Sequence, residues 1–279
     1  MSTSGQSRYA TVNGTNLHYV EWGRPDATPI VLLHGLRAYA HWYDDFAEAA
    51  KDRYRVIAQD LRGRGASEWA KDADYSTDAY VRDLEGLTDH LGLSRFILGG
   101  HSLGGVIVAN YAARHPDRVA ALLILDMSPD VNPAGIQRIR RELGETPEEF
   151  ASWDQARAFL RRLHPRASDE NLRTRLEWML EEKSDGKIVW RFDGEIRKPR
   201  ALDPPERTWT AFKGIRCPTL IVRGALSDIV ALESAETVVK TIAGSRRVEI
   251  PEAAHMVAED NPKAFNAAVL EFLAAQPAL

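Results

Sequence analysis

The chain has 279 residues, a formal net charge of −4 at pH 7 and 44% hydrophobic residues, the composition of an ordinary globular protein. A mildly acidic chain without a basic stripe does not have the electrostatic footprint of a nucleic-acid-binding protein. No stretch is long and apolar enough to span a membrane, and the polar start MSTSGQSRYA is not typical of a signal peptide. The single cysteine, Cys217, excludes an internal disulfide and cysteine-based zinc sites.

These totals predict a cytoplasmic protein that acts on a small molecule, without nucleic-acid or membrane partners. They leave open whether the protein forms a homodimer.

Eight short segments have the pattern of β-strands. The first two, RYATVNG and NLHYVEWG, flank Asn13-Gly14, a pair typical of tight hairpin turns, and are predicted to be antiparallel. Five more are apolar without alternation, as in strands covered on both faces: PIVLLHG, YRVIAQD, RFILGG, VAALLILD and CPTLIVRG. The last, RRVEIPE, has a weaker pattern.

Helical spacing recurs between these strands, from about His41 to Lys51, Thr77 to Leu91, Ser102 to His115, Leu232 to Ile242 and Pro262 to Ala274. The alternation predicts an α/β fold with a mostly parallel, twisted, eight-stranded sheet and helices on both faces.

The alternation is interrupted once, between Pro133 and about Arg207. Two segments there, TPEEFASWDQARAFLRRLHP and SDENLRTRLEWML, have helical spacing, and Thr146 followed by Pro147 is typical of a helix start. We therefore predict a core domain of residues 1–132 and 208–279, with a largely helical lid, residues 133–207, over the strand ends.

Ser102 lies in GGHSLGG, where a buried strand is predicted to become a helix. Gly100 and Gly104 leave room for a sharp, strained turn that would hold the serine hydroxyl above the sheet. A simple glycine-rich turn is the alternative. Because the placement after a strand and before a helix is what this motif requires, we interpret Ser102 as a nucleophile.

A serine nucleophile needs a base, and His255 is the best placed histidine. It lies in PEAAHMVAEDNP, between the last strand and the last helix, at the edge where parallel strands present loops to a ligand. The carboxylate that would orient His255 is predicted to be Asp228, because it follows the strand beside the one preceding His255. Asp126, at the end of the strand after the one carrying Ser102, is the alternative.

The N–H groups of Leu36 and Leu103 are the predicted oxyanion donors, since HGL follows a buried strand at the same edge. Residues predicted to contact substrate flank these loops or lie in the lid: His34, Arg37, Met127, Trp153, Trp178, Ile229 and Met256. The pattern calls for no metal and no cofactor.

Five motifs along the chain carry a resemblance to the α/β-hydrolase family: VLLHG, DLRGRGASE, GGHSLGG, CPTLIVRGALSDIV and AAHMVAEDNP. The resemblance covers nearly the whole chain, and the order Ser, Asp, His fits it. It implies an α/β-hydrolase fold and a serine hydrolase of the esterase-like branch. Haloalkane dehalogenases and epoxide hydrolases are disfavoured, because these relatives have an aspartate where Ser102 stands. Two departures are Arg64, where the family often has histidine, and Arg37, beside the predicted oxyanion donor.

The implied reaction is acyl transfer, with a carboxylic ester of a small or medium, fairly apolar substrate as the expected target. Three alternatives stay open. One is cleavage of an amide or carbon–carbon bond in a small carboxylate from aromatic or heterocycle breakdown, with Arg37 and lid arginines such as Arg138, Arg141 or Arg157 as anion contacts. The others are a cofactor-free perhydrolase or haloperoxidase, and a ligand receptor with slow turnover.

Overall fold

The computed structural model of the protein describes residues 5–198 and 203–276. The strands in this part of the chain are β1 (Gln6–Val12), β2 (Thr15–Trp22), β3 (Thr28–Leu33), β4 (Tyr54–Gln59), β5 (Phe96–His101), β6 (Val119–Leu125), β7 (Glu149–Phe150), β8 (Leu180–Glu182), β9 (Ile188–Trp190), β10 (Thr219–Gly224) and β11 (Arg246–Ile250). Eight of them form one sheet in the order β1-β2-β4-β3-β5-β6-β10-β11.

This sheet confirms the predicted topology. The β1–β2 and β2–β4 pairs are antiparallel, and every other neighbouring pair is parallel. The turn between β1 and β2 contains Asn13 at φ 51° and Gly14 at φ 75°. Two consecutive residues in the left-handed region give the turn whose twist matches an antiparallel hairpin, as the sequence predicts.

Helices cover both faces of the sheet. They are α1 (Asp44–Ala50), α2 (Thr77–His90), α3 (Leu103–Arg114), α4 (Pro133–Gly144), α5 (Trp153–Leu163), α6 (Asp169–Met179), α7 (Pro205–Gly214), α8 (Leu232–Thr241), α9 (Val257–Asp260) and α10 (Pro262–Ala274), with short 3₁₀ turns at Ala40–Tyr43 and Gly194–Arg197. Along β3, Val31 packs on the α2–α3 side, whereas Leu32 packs on the α1–α10 side, because successive strand residues face opposite ways. None of the described helices is long and apolar enough to cross a membrane.

The segment after β6, residues 133–198, is called the insert below. It contains α4, α5 and α6, but also a small antiparallel sheet in the order β7-β9-β8, which the sequence analysis did not predict. The predicted helix start at Thr146 is wrong. The Thr146 hydroxyl donates to the carbonyl of Glu142 in the last turn of α4. The next helix, α5, begins after Ser152, which caps it. The remainder of the predicted lid includes residues 199–202, which lie outside the described residues, and the first turn of α7.

A buried ion pair joins the insert to the core. The Arg175 guanidinium on α6 binds both oxygens of Glu259 on α9, with an Nε–Oε1 distance of 2.9 Å. The indole N–H of Trp42 also donates to Glu259, at 3.2 Å. Both charged side chains are almost completely removed from solvent, so each depends on the other for its solvation.

Removing one partner of this pair is expected to be costly. Arg175→Met leaves the Glu259 carboxylate buried without a cation and should lower the free energy of unfolding by about 3–5 kcal/mol. The double variant Arg175→Met/Glu259→Gln keeps an acceptor for Trp42 without a charge and should recover most of that loss. Urea unfolding of the three proteins measures the effect. A loss below about 1 kcal/mol in the single variant would contradict the buried pair.

Candidate active site

Ser102 occupies a strained turn between β5 and α3. Its backbone has φ 52° and ψ −115°, a conformation that residues with a side chain rarely adopt. Gly100 and Gly104 are required because backbone carbonyl groups lie too close to them for a side chain to fit. A Cβ on Gly100 would lie 2.3 Å from the carbonyl oxygen of Gly104, and a Cβ on Gly104 would lie 2.2 Å from that of Leu33. The turn therefore presses the start of α3 against the end of β3.

A cavity of about 470 Å³ lies at this edge of the sheet, beneath the insert. Ser102 and His255 both line it, and so does Met256, one of the predicted substrate contacts. No hydrogen bond joins Ser102 Oγ to His255 among the contacts of the described residues. Contacts between nucleophile and base are often long without substrate and tighten when it binds.

The His255 ring is oriented by Asp126. His255 Nδ1 lies 2.7 Å from Asp126 Oδ2, and the Asp126 side chain is fully buried. The same carboxylate accepts hydrogen bonds from the Gly224 N–H at 2.9 Å and the Ser227 hydroxyl at 2.6 Å. An ionised carboxylate can only accept, so Nδ1 carries the proton and Nε2 is left as the basic nitrogen.

The predicted pairing of Asp228 with His255 is therefore wrong. Asp228 is 40% exposed and binds Arg138 of α4 through two hydrogen bonds, of 2.5 and 2.9 Å. Burial alone would raise the pKa of Asp228, but Arg138 holds it below its usual value. Because β6 and β10 are neighbours, loops from both can reach His255, and the alternative Asp126 is the one that does.

The predicted oxyanion loop lies beside the serine. A Cβ on Gly35 would be 3.2 Å from Ser102 Cβ. Within residues 5–198 and 203–276, the N–H groups of Leu36 and Leu103 have no hydrogen-bond acceptor in the protein, so both are available to an oxyanion.

His34, predicted as a substrate contact, is completely buried and orients this loop instead. The Leu61 N–H donates to His34 Nε2 at 3.1 Å, so Nδ1–H donates to the Gly35 carbonyl at 2.7 Å. Burial lowers the pKa of His34 to about 4, which keeps the ring neutral. The Gly35 carbonyl and the Leu36 N–H belong to one peptide plane, so fixing the carbonyl also aims the N–H.

His101 also contributes, which the sequence analysis missed. Its Nε2 lies 2.8 Å from the carbonyl oxygen of His255, and the ring is buried against Trp42. Burial holds the pKa of His101 well below its usual value, so the neutral ring donates from Nε2. No local sequence pattern predicts this contact between His101 and a residue 154 positions away in the sequence.

Two other predicted substrate contacts are core residues. Met127 is 5% exposed and packs against Gly105 of α3, where a Cβ would lie 2.8 Å from the methionine Cβ. Ile229 is 4% exposed and packs against Gly135 of α4. Neither lines the cavity, because both side chains turn toward neighbouring helices.

The two predicted tryptophans also lie away from the cavity. Trp153 is on the outside of the insert, where its indole N–H donates to Glu182 at 3.0 Å. Trp178 stacks on His41 with ring centroids 4.0 Å apart. Of the predicted contacts, Arg37 lines the cavity, as Met256 does.

Arg37 begins a chain of alternating charges along the cavity wall. Its guanidinium binds Glu142 of α4, and Arg138 binds the other Glu142 oxygen at 2.9 Å. Arg138 in turn binds Asp228, so both arginines are neutralised by carboxylates. Within residues 5–198 and 203–276, no three His, Cys, Asp or Glu side chains are grouped as a metal site requires.

The sequence matches the family described as alpha/beta hydrolase fold over residues 28–262. A 3-hydroxybutyrate-oligomer hydrolase from Cupriavidus necator is 32% identical, over 85% of this chain and 86% of that protein. Epoxide hydrolase A from Mycobacterium tuberculosis is 28% identical, over 95% and 96% of the two chains. The solved structure of an alpha/beta hydrolase from Novosphingobium aromaticivorans has a TM-score of 0.85 and 30% identity, covering 98% of this chain and 99% of that one. Since the match spans most of the chain and the eight-stranded sheet agrees with it, this protein is a hydrolase of the α/β-hydrolase fold family.

Proposed function

We propose that the protein is a serine hydrolase that cleaves carboxylic esters of small or medium, largely apolar substrates. The observation that carries the proposal is the His255–Asp126 hydrogen bond of 2.7 Å, beside the strained Ser102 in the same cavity. This arrangement supplies a base with a fixed tautomer next to an accessible hydroxyl. The acid in this proposal is Asp126, which replaces Asp228.

The first half of the reaction makes an acyl-enzyme. Ser102 Oγ attacks the ester carbonyl while His255 Nε2 removes its proton. The Asp126 carboxylate stabilises the imidazolium that forms, and the N–H groups of Leu36 and Leu103 bind the oxyanion. The imidazolium then protonates the leaving alcohol, and the acyl group stays on Ser102. Water activated by His255 releases the acid in the second half.

The cavity supports a substrate of modest size. Its volume of about 470 Å³ is within the range of small-molecule sites. Leu163, Pro165, Leu226 and Met256 supply apolar lining, whereas the wall formed by Arg37 and its partners is polar. The similarity to a 3-hydroxybutyrate-oligomer hydrolase makes esters between short hydroxy acids the first natural substrates to test. In this proposal the insert acts as a lid over the bound ester.

The alternative substrate, a small carboxylate held by arginines, has less support. Arg37 and Arg138 are already paired with Glu142 and Asp228, so an added anion would compete with those carboxylates. The other two predicted anion contacts, Arg141 and Arg157, do not line the cavity.

Ser102→Ala should abolish hydrolysis of p-nitrophenyl acetate and butyrate, because no acyl-enzyme can form. Intact-mass analysis after treatment with a fluorophosphonate should show one adduct on the unaltered protein and none on the variant. Circular dichroism checks that the variant is folded. Unchanged ester turnover in Ser102→Ala would contradict the proposal that Ser102 is the nucleophile.

Asp126→Asn should lower kcat by about 10³–10⁴-fold, because an amide can no longer hold His255 in the required tautomer and charge state. Asp228→Asn is the matched comparison and should lower kcat less than about tenfold, since Asp228 pairs with Arg138 rather than with His255. Steady-state hydrolysis of p-nitrophenyl butyrate measures both. The opposite ranking would return the acid role to Asp228.

A further inference from the structure

The oxyanion loop is held from inside the core by Arg64. The Arg64 side chain is 2% exposed, and its Nε donates to the Leu36 carbonyl at 2.8 Å. Its Nη1 donates to the Arg62 carbonyl at 3.1 Å and to the Tyr80 hydroxyl at 2.7 Å. Among the described residues, no carboxylate is paired with this guanidinium. The guanidinium also faces the Tyr80 ring, 5.4 Å from its centroid, so the buried charge of Arg64 is compensated by neutral groups only.

The same loop is held from the insert by Glu142. The Arg37 guanidinium, one residue after Leu36, binds the Glu142 carboxylate, and their side chains are 16% and 12% exposed. Arg138, one helical turn earlier on α4, binds the second oxygen of Glu142. Arg138 thus holds the Glu142 carboxylate in place on α4, and the same carboxylate binds Arg37 of the oxyanion loop.

Contacts on both sides of Leu36 hold the candidate oxyanion donor in place. Arg64 fixes the peptide plane that follows Leu36, while His34 fixes the plane that precedes it. Glu142 then fixes the side chain of the next residue, Arg37, on the insert side. A hydrogen-bond donor stabilises an oxyanion well only when it is held in place before the reaction.

We propose that Arg64 and the Arg37–Glu142 ion pair are positioning residues that hold the Leu36 N–H in the geometry of the oxyanion hole. Arg64 acts from the core and Glu142 from the insert, so the hole is complete only while α4 is docked. This inference rests on the proposed function and deepens it, because it assigns a role to the insert beyond covering the cavity.

The core contact is tested with Arg64→Met. Loss of the donor lets the Leu36 peptide move, so kcat for p-nitrophenyl butyrate should fall about 10- to 100-fold while KM stays within about threefold. Binding of a trifluoromethyl ketone analogue, which forms the oxyanion on the enzyme, should weaken by a similar factor. Arg64→Lys can still donate one hydrogen bond and should recover part of the loss.

Arg62→Met is the matched control. Arg62 lies two residues away, is also buried, and binds both oxygens of Asp83, without a contact to the oxyanion loop. Its loss should lower the thermal stability but leave kcat and the analogue affinity of the folded protein within about threefold. If Arg64→Met behaves as Arg62→Met does, Arg64 has only a structural role and the inference is overturned.

The insert contact is tested with Arg37→Met, Glu142→Met and the double variant. If the two side chains act as one unit, each single variant lowers kcat by about tenfold and the double variant costs no more than either single one. Additive losses would show independent roles and overturn the insert half.

The failure of this inference can be distinguished from the failure of the proposed function. Unaltered kcat and analogue affinity in the Arg64, Arg37 and Glu142 variants, with Ser102→Ala inactive, would overturn the inference and leave the proposed function standing. Turnover retained by Ser102→Ala would overturn both.

Discussion

The close approach between the start of α3 and the end of β3 is the constraint on which the site depends. There is no room for a side chain at Gly104, because its Cβ would lie 2.2 Å from the Leu33 carbonyl oxygen. This contact brings the Ser102 turn beside Leu36, the residue that supplies one of the proposed oxyanion donors. The strain of Ser102, of the order of 1–3 kcal/mol, is offset by the packing of the strand and helix on either side of it.

Two carboxylates, Asp126 and Asp228, follow neighbouring strands at the cavity edge, and their different surroundings give them different roles. Asp126 is fully buried and has three donors, from His255, Gly224 and Ser227, which make a buried carboxylate tolerable. Asp228 keeps contact with water and binds Arg138 of the insert. One carboxylate therefore orients a ring inside the core, and the other ties a helix to the cavity edge.

Several charged groups join the insert to the core, beside aromatic contacts such as the stacking of Trp178 on His41. The Arg175–Glu259 pair is buried beneath it, and the contacts of Glu142 with Arg37 and Arg138 lie along the cavity wall. Each charge of a buried pair is costly without its partner, so these pairs favour the docked arrangement of the insert. The same pairing neutralises Arg37 and Arg138, two of the arginines that the sequence suggested as anion contacts.

Much of the fold could be predicted from local pattern alone. The eight strands of the main sheet, the Asn13-Gly14 hairpin and the turn at Ser102 follow from strand periodicity, glycine placement and helix starts. The position of His255 at the sheet edge follows from its place between the last strand and the last helix. Each of these features is encoded within about ten to fifteen residues, so the sequence by itself determined them.

The tertiary structure alone decided which side chains meet. Chain order could not distinguish Asp126 from Asp228, because β6 and β10 end side by side and both loops can reach His255. The orientation of His34 depends on the hydrogen bond that it accepts from the Leu61 N–H. Asp228 is bound by Arg138, which lies 90 residues away in the sequence. The small sheet of the insert pairs β7 with β9, whose residues are too few to form a strand pattern. Hydrogen bonds between distant segments are settled only when the packed elements bring them within about 3 Å of each other.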